Sequence, residues 1–112
     1  MRKKYRIKKN EEFQYIFKKG RSFANRQLVI YYTYAPEQIH FRVGISVGKR
    51  IGNAVMRNKI KRYIRESIHA LENKIVSHIN LIVVARQPTK HLGYHEIQKS
   101  LLHLLRKQKL LR

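Results

Sequence analysis

The 112-residue sequence has no cysteine and no aspartate. Without cysteine there is neither a disulfide nor a thiolate metal site, and that usage fits a reducing cytoplasm. Without aspartate, the only carboxylate side chains are Glu11, Glu12, Glu37, Glu66, Glu72 and Glu96. A protein-borne metal nuclease needs several carboxylates converging on its ions, and the one adjacent pair, Glu11 and Glu12, points to different sides of a helix. Catalysis by the chain itself is disfavoured, and no catalytic or metal-ligating residue is assigned. No run approaches the roughly 18 apolar residues of a membrane span, and no apolar segment follows the basic N-terminus as in a secretory signal. Neither a membrane nor export is expected. With no internal repeat or low-complexity linker, the 43% hydrophobic content reads as a single domain over residues 1–112 with one modest core.

What the chain has in excess is positive charge. Twenty-six Lys and Arg against six Glu give a formal net charge of +20, with a pI near 10.8. Self-repulsion on that scale opposes compaction unless a partner neutralises it, and nucleic acid is the leading candidate. The charge is densest in Gly48–Arg65, GKRIGNAVMRNKIKRYIR, where seven of eighteen residues are Lys or Arg and none is acidic. At 100° per residue on a helix, Arg57, Asn58, Lys61, Arg62 and Arg65 cover one arc, and Met56, Ile60, Tyr63, Ile64 and Leu71 cover another. One face is cationic and the other can bury. Asn53 is suited to cap the helix, and Gly48 and Gly52 let Lys49 and Arg50 approach a phosphate unobstructed.

Elsewhere the chain reads as alternating short elements. Residues 1–9 carry six basic side chains and are expected to form an extended arm ordered by RNA. Asn10 is expected to cap a first helix, with Glu11 and Glu12 at its positive end, Phe13, Ile16 and Phe17 as its apolar stripe and Gly20 closing it. Residues 21–25 suggest an edge strand. Residues 27–34 alternate Leu28, Ile30, Tyr32 and Tyr34 against Gln27, Val29, Tyr31 and Thr33, with Pro36, Glu37 and Gln38 as a hairpin connection. Phe41, Val43, Ile45 and Val47 mark the next strand. After the basic helix, NLIVVA at 80–85 reads as a strand covered on both faces, ended by Arg86, Gln87 and Pro88. A last helix begins near Gly93 with Ile97, Leu101, Leu104 and Leu105 on one stripe. This order predicts an α+β sandwich of helices on a small mixed sheet, with the strand, basic helix, strand unit as a parallel crossover.

Residues Gly44–Glu66, GISVGKRIGNAVMRNKIKRYIRE, resemble the protein subunit of bacterial ribonuclease P, marked by a basic Arg-Asn-Arg type helix. The resemblance extends over nearly the whole chain through Arg6 to Lys9, Asn10, Phe13 and Phe17, then Ala24-Asn25-Arg26-Gln27, and finally Ala85-Arg86-Gln87-Pro88. It implies an αβββαβα two-layer sandwich with a left-handed crossover, where general rules favour the right-handed form. It also implies an accessory to a catalytic RNA that removes the 5′ leader of precursor tRNA with Mg²⁺ held by the RNA, the protein itself binding no cofactor. By the same resemblance, Lys49, Arg50, Asn53, Arg57, Asn58, Lys61, Arg62 and Arg65 face the catalytic RNA. Phe13, Phe17, Val29 and Tyr31 line a cleft for the leader. The third member of the Arg-Asn-Arg triplet is Lys59 here, which keeps the charge and loses the planar fork for phosphate.

Blander readings stand beside these. A charged helix face can simply be solvated, Asn53 and Asn58 can cap or solvate a helix turn, and Phe13 and Phe17 can be core. His91 and His95 are four apart but have no acidic or thiol partner nearby, so they make a poor metal site. A small structural RNA binder of the ribosomal type would carry the same charge, and a self-sufficient nuclease would cleave without any RNA partner.

Overall fold

The computed structural model describes residues 1–112, in which three helices surround one four-stranded sheet. Their order is α1 (Asn10–Lys19), β1 (Arg21–Ala24), β2 (Leu28–Tyr34), β3 (Arg42–Ser46), α2 (Ala54–Ala70), β4 (Ile79–Ala85) and α3 (Tyr94–Lys107). This is the αβββαβα order expected from the sequence. None of the helices is long and apolar enough to cross a membrane.

Across the sheet the strands run β1-β2-β4-β3, antiparallel except for the parallel β3/β4 pair. β4 is therefore internal, which is why its residues are almost continuously apolar. The insertion of β4 overturns the hairpin expected at Pro36, Glu37 and Gln38. β2 and β3 do not pair, and the connection passes the start of β4, where the Gln38 amide donates to the carbonyls of Ile79 (3.1 Å) and His40 (3.2 Å). The β3-α2-β4 unit is the predicted parallel crossover.

Alternation along each strand assigns the two sheet faces. Leu28, Ile30, Tyr32, Val43, Leu81 and Val83 join Ile60, Ile64 and Ile68 of α2 and Ile97, Leu101, Leu104 and Leu105 of α3 in the main core. α1 lies across the reverse face, where its Ile16 packs with Ile82 and Ile7, flanked by Phe13, Tyr31 and Val84. Ile16 is the one fully buried side chain of α1 and contributes roughly 1.5–3 kcal/mol. The rest of this face is only partly covered.

Two local expectations change. The N-terminal residues are not a free extended arm: Tyr5 stacks on Phe41 with centroids 4.8 Å apart, Ile7 is buried, and its N–H donates to the Val43 carbonyl at 2.9 Å. Two apolar side chains within the basic run, together with the unpaired edge of β3, hold this segment against the sheet. α1 also starts one residue early. Lys9 occupies the cap position, its carbonyl accepting from Phe13 N–H at 3.2 Å, so Asn10 lies inside the first turn and caps nothing. Gly20 does close α1, in extended conformation, and glycine is needed there for space: a Cβ would sit 2.8 Å from the Tyr32 carbonyl oxygen.

Candidate nucleic-acid interface

The basic helix is fixed by a cap at one end and an apolar seam along its length. The Asn53 side-chain oxygen accepts from Met56 N–H at 3.0 Å, as the sequence predicts. Ile60, Ile64, Ser67 and Ile68 are buried, which turns the opposite arc outward. That arc is two parallel rows. Arg57, Lys61 and Arg65 are half-buried at spacing i, i+4, i+8, while Asn58 and Arg62 are exposed beside them. Tyr63, expected in the core, is instead half-buried at the rim, with Lys59 Nζ 5.9 Å and the Arg62 guanidinium 5.5 Å from its ring centre.

The inner row has no acidic partner. Lys61 and Arg65 line a hollow of about 320 Å³ together with Arg6, Lys8, Phe13 and Gly44. Arg57, one turn nearer the helix start, has its Nε shielded from solvent without any hydrogen-bond partner. In the outer row, Arg62 lies 3.9 Å from Glu66, an exposed i, i+4 pair worth little in water. The preceding turn, Lys49–Ile51, exposes Lys49 and Arg50 and is held by Gln87, whose amide donates to the Arg50 carbonyl at 3.0 Å.

Beside this cationic surface runs a groove between α1 and the sheet. Cross-strand register places Ala24, Val29, Val84 and Ser46 in one row across the sheet and Ser22, Tyr31, Ile82 and Gly44 in the next. α1 covers part of the second row: Phe13 sits directly on Gly44, Ile16 packs on Ile82, and Phe17 meets Tyr31 edge-on at 4.9 Å. The first row is open. Val29 and Tyr31 are half-exposed and Phe17 is exposed, so the four predicted cleft residues come together on one surface. Phe13 belongs to both places, since it also lines the hollow holding Lys61 and Arg65.

The closed end of the groove is tied by Glu12 of α1, which forms an ion pair with Arg42 of β3. The hydrogen bond from Arg42 holds the Glu12 carboxyl below its ordinary value, outweighing the opposing effect of burial, with the Arg42 and Lys9 charges adding to the depression. The open end is built by Asn25. Its oxygen accepts from Gln27 N–H (3.0 Å) and Leu28 N–H (2.8 Å), its amide donates to Ser100 Oγ of α3 (2.8 Å), and Arg86 donates to its carbonyl at 2.8 Å.

Sequence reasoning missed Arg6, Lys8, Gly44, Ser46 and Val84 as members of these surfaces. Val84 was hidden because NLIVVA is apolar on both faces, and Ser46 because only the β3/β4 register puts it beside Val84. Arg6 and Lys8 were visible as charge, but their position depends on the pairing of the N-terminal segment with β3.

The comparisons with known proteins agree with this arrangement. The family model described as Ribonuclease P matches residues 1–109. The ribonuclease P protein component of Oceanobacillus iheyensis is 61% identical over 112 residues, covering 100% of this chain and 93% of the relative. That of Geobacillus kaustophilus is 55% identical over 107 residues, 96% of this chain and 88% of the relative. Among solved structures, the RNase P protein of Staphylococcus aureus superposes with a TM-score of 0.89 at 52% identity, covering 96% of this chain and 98% of that one. The RNase P protein of Thermotoga maritima gives 0.83 at 27% identity, covering 91% and 96%. Matched along almost its whole length in sequence and in fold, the chain belongs to the ribonuclease P protein component family.

Proposed function

We propose that this chain, as the accessory subunit of the ribonuclease P endoribonuclease, docks its cationic surface on the catalytic RNA and holds the 5′ leader of precursor tRNA in the groove between α1 and the sheet. The observation that carries this reading is the inner row of α2. Arg57, Lys61 and Arg65 follow one another at four-residue spacing and form no ion pair, and Lys61 and Arg65 face Arg6 and Lys8 across a hollow that no acidic side chain lines. A polyanion supplies what the fold leaves out. Lys49, Arg50, Asn58 and Arg62 extend the same surface, and Asn53 belongs to it through its cap. Such contacts give affinity and position without reading sequence.

The groove suits a single strand. Phe17 and Tyr31 offer rings on which unpaired bases can stack, at about 1–3 kcal/mol per base, with Val29 as an apolar contact beside them, while Phe13 links the groove to the cations. Bond cleavage belongs to the RNA and its Mg²⁺ in this reading. Four of the chain's six glutamates have partners: Glu12 pairs with Arg42, Glu66 lies by Arg62, Glu72 by His69, and Glu96 accepts from Gly93 N–H. The protein screens repulsion between two polyanions, and its site of action is the cytoplasm.

The test is cleavage of precursor tRNA by ribonuclease P RNA at low Mg²⁺, with and without this chain, on substrates of several leader lengths. We expect the chain to raise the rate and to lose part of its effect when the leader is too short to span the groove. An unchanged rate would remove the catalytic-accessory role.

A further inference from the structure

Lys109 is the one non-glycine residue of the chain with positive φ, at 58°. It terminates α3 in a Schellman motif: Leu110 N–H donates to the Leu105 carbonyl at 2.9 Å and Lys109 N–H to the Arg106 carbonyl at 3.1 Å. Glycine is the default at that left-handed position, because an L side chain there crowds its own backbone. The helix dipole favours a cation near this end, but Arg106 and Lys107 already supply it from ordinary helical positions. A lysine in the left-handed position is therefore disfavoured by the fold, and disfavoured backbone tends to persist where a side chain is used.

Its surroundings say what the use is. Lys109 lines a groove of about 530 Å³ with Lys74, Arg106 and Arg112, floored by Leu102 and Leu111, and no acidic side chain contributes to it. Glu72, which lies with Arg112 in the neighbouring hollow, is 4.0 Å from His69. The backbone here is rigid, since Val76 N–H donates to the Leu110 carbonyl at 2.9 Å and Arg112 N–H to the Lys74 carbonyl at 2.6 Å. The groove lies along the last turns of α3 and past the C-terminal end of α2. At 1.5 Å per residue, Arg57 is about 20 Å and Arg65 about 8 Å from the end of α2 at Ala70, so the groove lies past the end of the α2 cation row and extends the reach of the chain along the helix axis.

We propose that this groove is a second RNA-docking surface, in which Lys74, Arg106, Lys109 and Arg112 hold backbone phosphates past those held by the α2 row. The proposal rests on the reading that this chain binds ribonuclease P RNA. Four cations on one groove, with no acidic side chain among them and a hydrogen-bonded backbone beneath, match a phosphate chain in charge.

The experiment titrates ribonuclease P RNA with the full chain between 50 and 200 mM monovalent salt, comparing wild type with Lys109→Gly, Lys74→Ala/Arg106→Ala and Lys99→Ala. Lys99 is exposed on α3 outside the groove and controls for bulk charge. Each lost phosphate contact lowers the salt slope by about 0.9 and, at 150 mM, the affinity by about 5-fold. Lys109→Gly is expected to show that loss while melting at the same temperature as wild type or higher, because glycine suits the turn. The double variant is expected to lose about two contacts, and Lys99→Ala none. Wild-type affinity and slope in the groove variants, or an equal loss in Lys99→Ala, would overturn the proposal while leaving the α2 surface intact. A flat salt response of the wild-type chain would sink both readings.

Discussion

Replacing Gly44 with alanine asks how tightly the groove floor is built. Gly44 lies in β3 without positive φ, so its backbone would accept any residue, and what excludes a side chain is the Phe13 ring. A Cβ at this position would fall 2.7 Å from Phe13 Cε1 and 3.3 Å from Cε2, well inside van der Waals contact. Two effects then compete. Alanine restricts the unfolded chain and so stabilises by about 0.4–1 kcal/mol, whereas overpacking costs about 1–3 kcal/mol. Phe13 is at the groove rim and can swing outward, which caps the penalty but lifts the ring off Phe17, 6.3 Å away, and opens the hollow beside Lys61. We expect a net loss of about 1–2 kcal/mol, read as a melting temperature lower by roughly 4–10 °C for a chain of this length. Phe13→Leu removes the obstructing ring edge, so the double variant should recover at least about 1 kcal/mol of the summed losses. Thermal melts of the four proteins close the cycle. Additive losses would show that Gly44 and Phe13 do not touch in the way described and would refute the groove geometry.

Arg57→Ala/Arg62→Ala should reduce the salt slope of binding to ribonuclease P RNA by about 2 while changing stability little, since Arg57 forms no ion pair and Arg62 has only its exposed partner Glu66. Retained affinity at physiological salt would remove both from the interface. Tyr31→Ala should weaken leader-bearing precursor tRNA by one stacked base, about 1–3 kcal/mol, and mature tRNA not at all, in parallel binding titrations. Equal losses for the two would take Tyr31 out of the groove assignment. Because Glu12 titrates lower in the folded chain than its ordinary 4.5, its pairing with Arg42 stabilises above that pH and is lost as pH falls through the depressed value. Glu12→Gln should therefore be less stable than wild type at pH 6, with the gap narrowing below about pH 4. A gap independent of pH would mean that packing, and not the ion pair, pins α1.

Much of this architecture could be read from the residues because the informative patterns are local. The 3.6-residue period of α2 and α3, the two-residue alternation of β2 and the Asn53 cap each depend on neighbours in sequence, and each survives in the structure. What failed depends on contacts distant in sequence. Pro36-Glu37-Gln38 has the composition of a hairpin turn, yet β4, more than forty residues on, takes the place between β2 and β3. Asn10 is a good cap by type, but the segment before it is already held at the β3 edge, and Lys9 enters the helix first. The cation row of α2 was legible as an arc. Its division into a sheltered row and a solvated row was not, because that depends on where the N-terminal segment and Phe13 lie.

The same division bears on why a protein so poor in acids folds at all. A net charge of +20 repels itself most where cations converge, and few carboxylates offset it: Glu12 pairs with Arg42 at the closed end of the groove, Glu66 meets the cation rows only at their C-terminal end beside Arg62, and Glu72 lies past the end of α2. Lys61 and Arg65, with Arg6 and Lys8 across the hollow, form no ion pair, and no acidic side chain lines that hollow. Placing a glutamate among them would relieve repulsion in the free chain and would compete with phosphate for the same donors. Stability of the isolated protein and affinity for RNA thus pull the composition of this surface in opposite directions. The residues present there are those that favour affinity.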